Sequence, residues 1–209
     1  MKTSKQFYKE LGAEGLAKRK EAIHTKKELI YLKKFLNKKQ RILDLACGYG
    51  RFAIPLAKQR YNVEGLDISP NLLRKAKMDA KKQGLNIRFI EGDMTNLPYK
   101  DNSFDAIICM WSAFAELHRK SDQIKALKEM LRVLDKNGLA ILEMPKPERV
   151  KKKVVILRIG AVEGSPMYCH NKKTLTNLMK KFKILKYKIF IDNFGGRDRL
   201  FLQFWKRGR

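Results

Sequence analysis

The sequence is poor in the residues that mark secreted and metal-binding chains. Of its 209 residues only three are cysteines, Cys47, Cys109 and Cys169. An odd number of cysteines without paired spacing argues against a disulfide framework and against a cysteine-rich zinc site. We therefore expect each cysteine to behave as a small buried apolar residue, and we predict no metal site.

Long apolar runs are also missing. No stretch approaches the roughly 18 apolar residues that a membrane helix requires. The first eight residues, Met-Lys-Thr-Ser-Lys-Gln-Phe-Tyr, lack the apolar run of a signal peptide. These absences predict a cytoplasmic protein without a membrane-bound part. The length fits a single domain over residues 1–209, and the 44% of hydrophobic residues can supply its core.

Acidic residues are scarce, because 21 Asp and Glu stand against 47 Lys and Arg, for a formal net charge of +26. The excess is +8 in residues 1–40 (12 basic, 4 acidic), +4 in residues 41–144 (17 and 13) and +14 in residues 145–209 (18 and 4). Basic flanks can steer a polyanion such as RNA toward a cleft. Lysine enrichment, with 33 Lys and 14 Arg, is also a common genomic signature. Both interpretations stay open.

Apolar segments alternate with amphipathic segments through the middle of the chain. Buried strands are predicted at residues 41–45, 63–67, 87–91, 104–110 and 139–144. Helices are predicted between them, from the glycines to about residue 60, from Ser69-Pro70 to the residue before Gly84, and from 121 to 134 before Asn137-Gly138. Such alternation predicts an α/β fold, doubly wound, with a mostly parallel sheet and helices on both faces.

The flanks carry further elements. Residues 25–36 predict an amphipathic helix, residues 4–17 a weaker one, and residues 171–182 another helix. Residues 145–170 break the alternation and predict an extra hairpin or cap. Strands at 184–192 and 199–206 predict an antiparallel pair at one edge. Pro55 is a misfit, because a proline within a helix is tolerated only near its first turn.

The turn after the first strand points to a ligand. It reads Asp44-Leu-Ala-Cys-Gly48-Tyr-Gly50, and its glycines allow the backbone to turn tightly and approach a ligand closely. In a doubly wound sheet the ligand lies at the carboxyl ends of the strands. The N-terminus of the following helix can accept a carboxylate or a phosphate there.

The ends of the next two strands suggest a nucleoside. Asp67 ends the second strand, where its carboxylate can accept both hydroxyls of a ribose. Asp93 follows the third strand and can accept a hydrogen bond from an adenine amino group. Ile68 and Met94 can sandwich the adenine ring.

The glycine turn by itself also fits the dinucleotide pattern G-x-G-x-x-A, with Asp67 lying 19 residues beyond Gly48. Three features argue against a nicotinamide cofactor. Asp44 precedes the glycines, where it would repel a second phosphate and attract an ammonium. Asp93 gives the adenine end an acceptor, and a strand pair replaces the second mononucleotide half.

Together these motifs resemble those of the class I S-adenosylmethionine (SAM)-dependent methyltransferases. The resemblance covers roughly residues 41–144. The turn after the first strand looks like the family's D-x-x-x-G-x-G motif, Gly65-Leu-Asp67 like its ribose acid, and Gly92-Asp93-Met94 like its adenine motif. Residues 104–110 resemble its fourth strand. Residues 131–138 resemble the stretch before its fifth strand, with Asn-Gly in place of the usual Pro-Gly.

The resemblance implies a seven-stranded sheet whose last strand is antiparallel, SAM as the cofactor and S-adenosylhomocysteine as its product. It implies a lid in residues 1–40, with Tyr8 on the substrate side, and a substrate-side insertion in residues 145–170. The implied cofactor-binding residues come from the ends of four strands: Asp44, Ala46, Gly48, Gly50, Asp67, Ile68, Asp93, Met94 and Met110.

The methyl acceptor is expected beside the end of the fourth strand, where Trp111 and Phe114 can stack on a flat substrate. An Asn-Pro-Pro-Tyr type motif, used by families that methylate exocyclic amines and glutamine amides, is absent, which disfavours those substrates. His118 and His170 are candidate bases. Tyr168 lies just before the last helix, where some relatives have substrate-facing residues.

The leading hypothesis is therefore a SAM-dependent methyltransferase acting on a small molecule, with no oligomeric state predicted. One alternative is an RNA methyltransferase, with tRNA as its substrate, guided by the basic flanks. Another is a SAM-binding protein without transferase activity, and an NAD-dependent oxidoreductase is a distant fourth. RNA binding predicts co-purifying nucleic acid and a steep dependence on salt.

Overall fold

A mixed sheet forms the centre of the protein in the computed structural model, which describes residues 6–8, 10, 22–146, 154–159, 162–194 and 197–208. The strands of these described residues are β1 (Arg41–Leu45), β2 (Asn62–Asp67), β3 (Phe89–Glu91), β4 (Phe104–Cys109), β5 (Leu134–Pro145), β6 (Val154–Ile159), β7 (Val162–Tyr168), β8 (Tyr187–Phe194) and β9 (Arg197–Trp205).

Seven of these strands make one sheet in the order β3-β2-β1-β4-β5-β9-β8. Strands β1 to β5 pair in parallel, whereas β9 runs antiparallel to both β5 and β8. The prediction of a doubly wound, mostly parallel sheet with an antiparallel pair at one edge is confirmed. The chain order reverses between β1 and β4, so the loops after these two strands diverge and leave a crevice at their carboxyl ends.

The helices are α1 (Ala22–Leu32), α2 (Ala53–Lys58), α3 (Pro70–Lys82), α4 (Lys120–Val133) and α5 (Lys172–Lys181), with a short 3₁₀ helix at Ala113–Glu116. Side chains satisfy the free amides at two of their starts. Ser69 accepts from the Leu72 amide before α3, and Asn171 forms a capping box with Thr174 before α5. Pro55 is the third residue of α2, where the amide that it lacks would have no partner within the helix.

Opposite faces of the sheet bury different residues of the same strands. Leu43 and Ile107 belong to one apolar cluster, while Ile42 and Ile108 belong to another. This alternation follows from the two-residue period of a strand. Residues of α4 and α5 complete the first cluster, and residues of α1, α2 and α3 complete the second. Helices therefore cover both faces, as the sequence predicts.

The connection between α4 and β5 differs from the prediction. Asn137-Gly138 was expected to end the helix, but α4 ends at Val133 and β5 begins at Leu134. The pair lies instead in an irregular stretch of the strand, where the β4–β5 register shifts and Asn137 adopts a φ of 61°. The Asn137 amide donates to the Lys206 carbonyl and the Lys206 Nζ donates to the Leu134 carbonyl, so contacts from the end of β9 fix this stretch.

Two segments outside the central alternation pack beside the crevice. Within the predicted helix 4–17 the structure describes four residues, and all four are helical: Gln6, Phe7, Tyr8 and Glu10. Phe7 is fully buried. The other residues of this predicted helix lie outside the described residues. Strands β6 and β7 pair antiparallel and form the hairpin predicted for residues 145–170. No helix in the described ranges is long and apolar enough to span a membrane.

Gly50 and Gly84 form a matched pair for a test of the turn after β1. Both have left-handed φ values, +83° and +66°, which cost an alanine about 1–2 kcal/mol. A Cβ at Gly84 would meet nothing within 4 Å, whereas one at Gly50 would lie 2.8 Å from the Ile54 side chain and 3.3 Å from that of Phe89. We expect Gly50→Ala to lower the free energy of unfolding by about 1–3 kcal/mol more than Gly84→Ala. Urea unfolding without ligand measures the free energy of unfolding of both variants. Equal losses of stability in the two variants would contradict the steric crowding inferred at Gly50.

Candidate functional site

A cavity of about 380 Å³ lies at the carboxyl ends of β1, β2, β3 and β4. Its volume falls in the range of about 300–1,000 Å³ that is typical of small-molecule pockets. We call it the strand-end cavity. Most of the predicted cofactor-binding residues line it, namely Ala46, Gly48, Asp67, Ile68, Asp93, Met94 and Met110. Their roles toward a cofactor stay predictions.

Asp67 joins two turns at the floor of this cavity. Its Oδ2 accepts from the Gly48 amide and its Oδ1 from the Ser69 amide, both at 2.8 Å. Burial raises the pKa of Asp67 to about 6, although the amides of Ser69, Gly48 and Ile68 oppose the shift. The carboxylate is therefore fixed in position between the turn after β1 and the start of α3.

Asp44 and Gly50 do not line the cavity. The sequence predicts Asp44 at the border of the methionine part of SAM, but its carboxylate is 1% exposed and accepts from the Ala53 amide at 3.0 Å, beneath the turn. Burial raises the pKa of Asp44 to about 7, the charge of Asp67 adds to the shift, and the Ala53 amide and Arg51 oppose it. Asp44 thus supports the start of α2 from behind the cavity wall.

Asp93 is exposed and lies beside the cavity after β3. Its Oδ1 accepts from both the amide and the hydroxyl of Thr95, at 2.8 and 2.9 Å. These bonds orient the carboxylate on a tight turn that includes a bridge between Asp93 and Asn96. The aspartate is thus held at the position where the sequence predicts a partner for an adenine amino group.

Arg51, which sequence reasoning missed, crosses from the turn after β1 to α1 and the end of β4. Its Nε donates to Thr25 at 2.8 Å and its Nη2 to Glu28 at 2.6 Å. Its guanidinium lies 4.2 Å from the ring centroid of Trp111. Arg51 lines the cavity and is 8% exposed, and its Nη1 is buried without a hydrogen-bond partner among the described residues.

The end of β4 has a strained backbone. Trp111 and Ser112 both adopt left-handed φ values, 61° and 68°, which are unfavourable for residues other than glycine. The fully buried Glu143 accepts from the Trp111 amide at 2.6 Å and from Arg199. Arg199 also donates to the Ser112 hydroxyl at 2.6 Å. An ion pair between β5 and β9 thus fixes the Trp111 wall of the cavity, and no local sequence pattern indicates this pair.

The predicted acceptor-side residues divide into two groups. Trp111 and His118 line the cavity, whereas Phe114, Tyr168 and His170 are buried outside its lining. The His170 ring stacks on Phe114 with 5.3 Å between centroids, and burial lowers the pKa of its imidazole to about 4. Neither ring nitrogen has a hydrogen-bond partner in the described part of the chain. Phe114, Tyr168 and His170 are thus packed outside the cavity lining, and the roles predicted for them toward a substrate stay predictions.

Two segments remote in sequence contribute lining residues to the cavity. Tyr8 lines it from the N-terminal helical residues and donates to Glu116 Oε1 at 2.5 Å. Pro166 lines it from β7. Glu116, which no sequence motif indicates, ends the 3₁₀ helix after β4 and is 8% exposed. Within the described ranges no group of three or more His, Cys, Asp or Glu is arranged to bind a metal ion.

Comparison with known proteins agrees with this geometry. Residues 42–138 match the family model of a methyltransferase domain. The demethylmenaquinone methyltransferase of Deinococcus radiodurans is 40% identical over 134 residues, which cover 59% of this chain and 54% of that protein. The chain spans about half the length of the first curated relatives that it matches.

Solved structures share the fold. A SAM-dependent methyltransferase from Methanosarcina mazei has a TM-score of 0.73 at 19% identity, covering 86% of this chain and 98% of that chain. The 1,6-didemethyltoxoflavin-N1-methyltransferase of Burkholderia thailandensis, solved with 1,6-didemethyltoxoflavin and S-adenosylhomocysteine, has a TM-score of 0.73 at 14% identity, covering 96% and 86%. These likenesses show the shared fold, and the family match places a methyltransferase domain over the part of the chain that carries the motifs.

The raised pKa of Asp44 predicts how stability depends on pH. The carboxyl titrates near 3.8 when unfolded and near 7 when folded, so its contribution to stability is complete below about pH 4 and is lost as the pH rises through 7. Asn cannot ionise but can still accept from the Ala53 amide. We expect Asp44→Asn to exceed the wild type in unfolding free energy by roughly 1–4 kcal/mol at pH 8 and to equal it near pH 4.

Ligand-free urea unfolding across this pH range measures the difference. Asp105→Asn is the control of opposite sign, because hydrogen bonding and charge from Arg41 lower the pKa of Asp105. Its stabilising contribution is present at neutral pH and is lost as the pH falls through the lowered pKa. If Asp44→Asn lowered the free energy of unfolding by the same amount at every pH, the assignment of a raised pKa to the buried Asp44 carboxyl would be contradicted.

Proposed function

We propose that this chain transfers the methyl group of SAM to a small molecule bound in the strand-end cavity, because residues 42–138 match the family model of a methyltransferase domain. One observation carries the proposal: a single cavity is bordered by Asp67 and Asp93 on one side and by Trp111, Glu116 and His118 on the other. Methyl transfer depends mainly on holding a donor and an acceptor close together and in line. We further propose the cytoplasm as the compartment.

The nucleoside side of the cavity fits SAM. Each Asp67 oxygen accepts one amide, and a carboxylate oxygen can accept two hydrogen bonds, so both remain able to bind the hydroxyls of a ribose. Ile68 and Met94 would flank the adenine ring, and Asp93 would accept from its amino group. When bound, SAM supplies a methyl group that the positive charge on its sulfur has already activated.

Arg51 fits the amino-acid end of SAM. Its buried Nη1 has no hydrogen-bond partner in the described residues, and an unsatisfied buried donor costs about 1–3 kcal/mol. A carboxylate of the ligand would satisfy that donor with a charge-assisted bond. Glu28, Thr25 and Trp111 fix the guanidinium in place before any ligand arrives. Arg51 would therefore bind without rearrangement.

The relatives support a small-molecule acceptor. The names of the Deinococcus radiodurans and Burkholderia thailandensis proteins, a demethylmenaquinone methyltransferase and a 1,6-didemethyltoxoflavin-N1-methyltransferase, refer to small molecules. Tyr8 and Pro166 also line the cavity, whose volume of about 380 Å³ suits a compact acceptor. RNA and a non-catalytic SAM-binding role are the outcomes against which the proposal is tested.

The first test supplies radiolabelled SAM and the protein to a cell extract, which is then split into RNA, protein and small-molecule fractions. We expect label in the small-molecule fraction. Asp67→Ala is the control, because loss of the ribose carboxylate should remove the signal. Label in RNA that disappears after ribonuclease would favour an RNA methyltransferase whose basic flanks bind the substrate. SAM binding without label in any fraction would favour the non-catalytic role.

The second test addresses Arg51 by calorimetry with two ligands. S-adenosylhomocysteine has the amino-acid carboxylate, whereas 5′-methylthioadenosine lacks it. We expect Arg51→Met to weaken S-adenosylhomocysteine binding by about 10–100-fold and methylthioadenosine binding by less than about threefold, since a charge-assisted bond contributes about 1.5–3 kcal/mol.

Glu28→Gln is the matched control for this test. It removes the charge beside Arg51 but leaves the guanidinium, so the ratio of the two affinities should stay within about threefold of the wild type. Equal weakening of both ligands by Arg51→Met would assign Arg51 to the folding of the turn and of α1. It would then have no role in carboxylate binding.

A further inference from the structure

The turn after β4 has an unfavourable backbone conformation at the wall of the strand-end cavity. Trp111 and Ser112 have left-handed φ values of 61° and 68°, which cost free energy in residues other than glycine. Two such residues in succession persist only where their surroundings fix them. Trp111 lines the cavity, whereas Ser112, Glu143 and Arg199 are not among its lining residues. Bonds from behind the cavity wall therefore hold a residue of that wall.

Three hydrogen bonds fix this turn from β5 and β9. The Trp111 amide donates to Glu143 Oε2 at 2.6 Å, and the Ser112 amide donates to the Glu143 carbonyl at 3.1 Å. The Ser112 hydroxyl accepts from Arg199 Nη2 at 2.6 Å, and Arg199 Nε donates to Glu143 Oε1. The Glu143 side chain is fully buried, where hydrogen bonds to a charged group are strong. Its carboxylate is thus the common acceptor for the turn and for Arg199.

Trp111 transmits this position to Arg51. The Arg51 guanidinium lies 4.2 Å from the centroid of the Trp111 ring and 4.8 Å from that of Phe52. Tryptophan is the aromatic side chain that attracts a cation most strongly. Thr25 and Glu28 hold one edge of the guanidinium, and the tryptophan ring holds its face. Moving this ring would therefore turn Nη1, the donor that we assign to the amino-acid carboxylate of SAM.

We propose that Glu143 is a positioning residue for cofactor binding, because its carboxylate holds Trp111 against Arg51. The guanidinium is thereby aimed at the amino-acid end of SAM. The proposal rests on the function proposed above and adds to that site a residue outside the cavity lining. A change at Glu143 should therefore act on ligands that carry the amino-acid carboxylate and leave the binding of the adenosine part unchanged.

Glu143→Gln is the variant that tests this proposal. A glutamine has nearly the same shape, but it has one acceptor oxygen and one NH2 group. It cannot place an oxygen at both positions where Glu143 accepts, one facing the Trp111 amide and one facing Arg199. One of these two donors would then face the NH2 group, so the hold on the turn is lost.

Glu129→Gln is the matched control. Like Glu143, Glu129 accepts from a backbone amide and from an arginine. The Leu97 amide donates to Glu129 Oε2 at 2.7 Å, and Arg132 Nε donates to Oε1 at 2.8 Å. Glu129 lies on α4 and is not among the residues that line the strand-end cavity. The same chemical change is thus made at a second ion pair, where it should affect stability but not ligand binding.

The first measurement needs no ligand. The chain has two tryptophans, Trp111 and Trp205, so Trp205→Phe leaves Trp111 as the only one. In this background we expect Glu143→Gln to raise the acrylamide quenching constant of the Trp111 emission by at least about twofold, because release of the turn exposes a half-buried ring. Glu129→Gln should leave the constant unchanged.

The second measurement repeats the calorimetry with S-adenosylhomocysteine and 5′-methylthioadenosine. We expect Glu143→Gln to lower the preference for S-adenosylhomocysteine by about 5–20-fold and to keep methylthioadenosine affinity within about twofold, since the weakened bond is the charge-assisted one. In the Arg51→Met background, Glu143→Gln should change the preference by less than about twofold, because residues that act through one contact are not additive. Glu129→Gln should leave the preference unchanged.

A second variant avoids any change in buried charge. Ser112→Ala keeps the pair of Glu143 and Arg199 but removes the hydroxyl that Arg199 binds, and Ser112 is not in the cavity lining. Loss of this single hydrogen bond should lower the preference for S-adenosylhomocysteine by about three- to fivefold. The variant therefore tests the hold on the turn even if Glu143→Gln does not fold.

Equal weakening of both ligands by Glu143→Gln would assign Glu143 to the general stability of the pocket and overturn the proposal. An effect that adds to that of Arg51→Met would do the same. Unchanged quenching of Trp111 would overturn it without any ligand. Failure of the wild type to bind either ligand would refute the function proposed above, whereas the quenching comparison would still decide whether Glu143 holds Trp111.

Discussion

The Asp67 carboxylate is the point on which the arrangement of the site depends. Parallel strands alone bring the ends of β1 and β2 together, but they leave the turns that follow free to diverge. By accepting from the Gly48 and Ser69 amides, Asp67 ties the glycine turn to the start of α3. The same carboxylate is thus a structural acceptor and the predicted ribose ligand. Asp44 is buried beneath the same turn and accepts from the Ala53 amide at the start of α2.

Two ion pairs position the wall of the cavity at the end of β4, which the parallel strands alone do not determine. Arg51 joins the turn after β1 to α1 through Glu28, and Arg199 joins β9 to β5 through Glu143. Each pair also contacts the end of β4, by stacking on Trp111 or by bonding to its amide. Breaking a buried pair costs far more than breaking an exposed one. The residues at the end of β4 are therefore positioned by segments that lie far apart in the chain.

The fold was largely predictable because its signals are local. The cap at Ser69 and the alternation of apolar segments placed the central strands and helices within a few residues of their observed positions. The Asn137 region was misassigned because bonds from the far end of β9 decide its conformation. Phe114 was expected at the substrate because an aromatic residue near a strand end can face either the core or the crevice. Arg51 and Glu116 were missed because their partners lie 23 and 108 residues away.

Some of the chain's basic residues lie at the edge strand of the sheet, β8. Within the described residues, β8 is at the edge of the sheet, so one side of its backbone has no neighbouring strand. It exposes Ile191 and is eight residues long, which are features that favour pairing between copies of a chain. Lys188 lies exposed in the same strand, and Lys186 is exposed just before it. Lysines are among the residues that sheet edges use against pairing between copies, and repulsion between like charges weakens as salt rises.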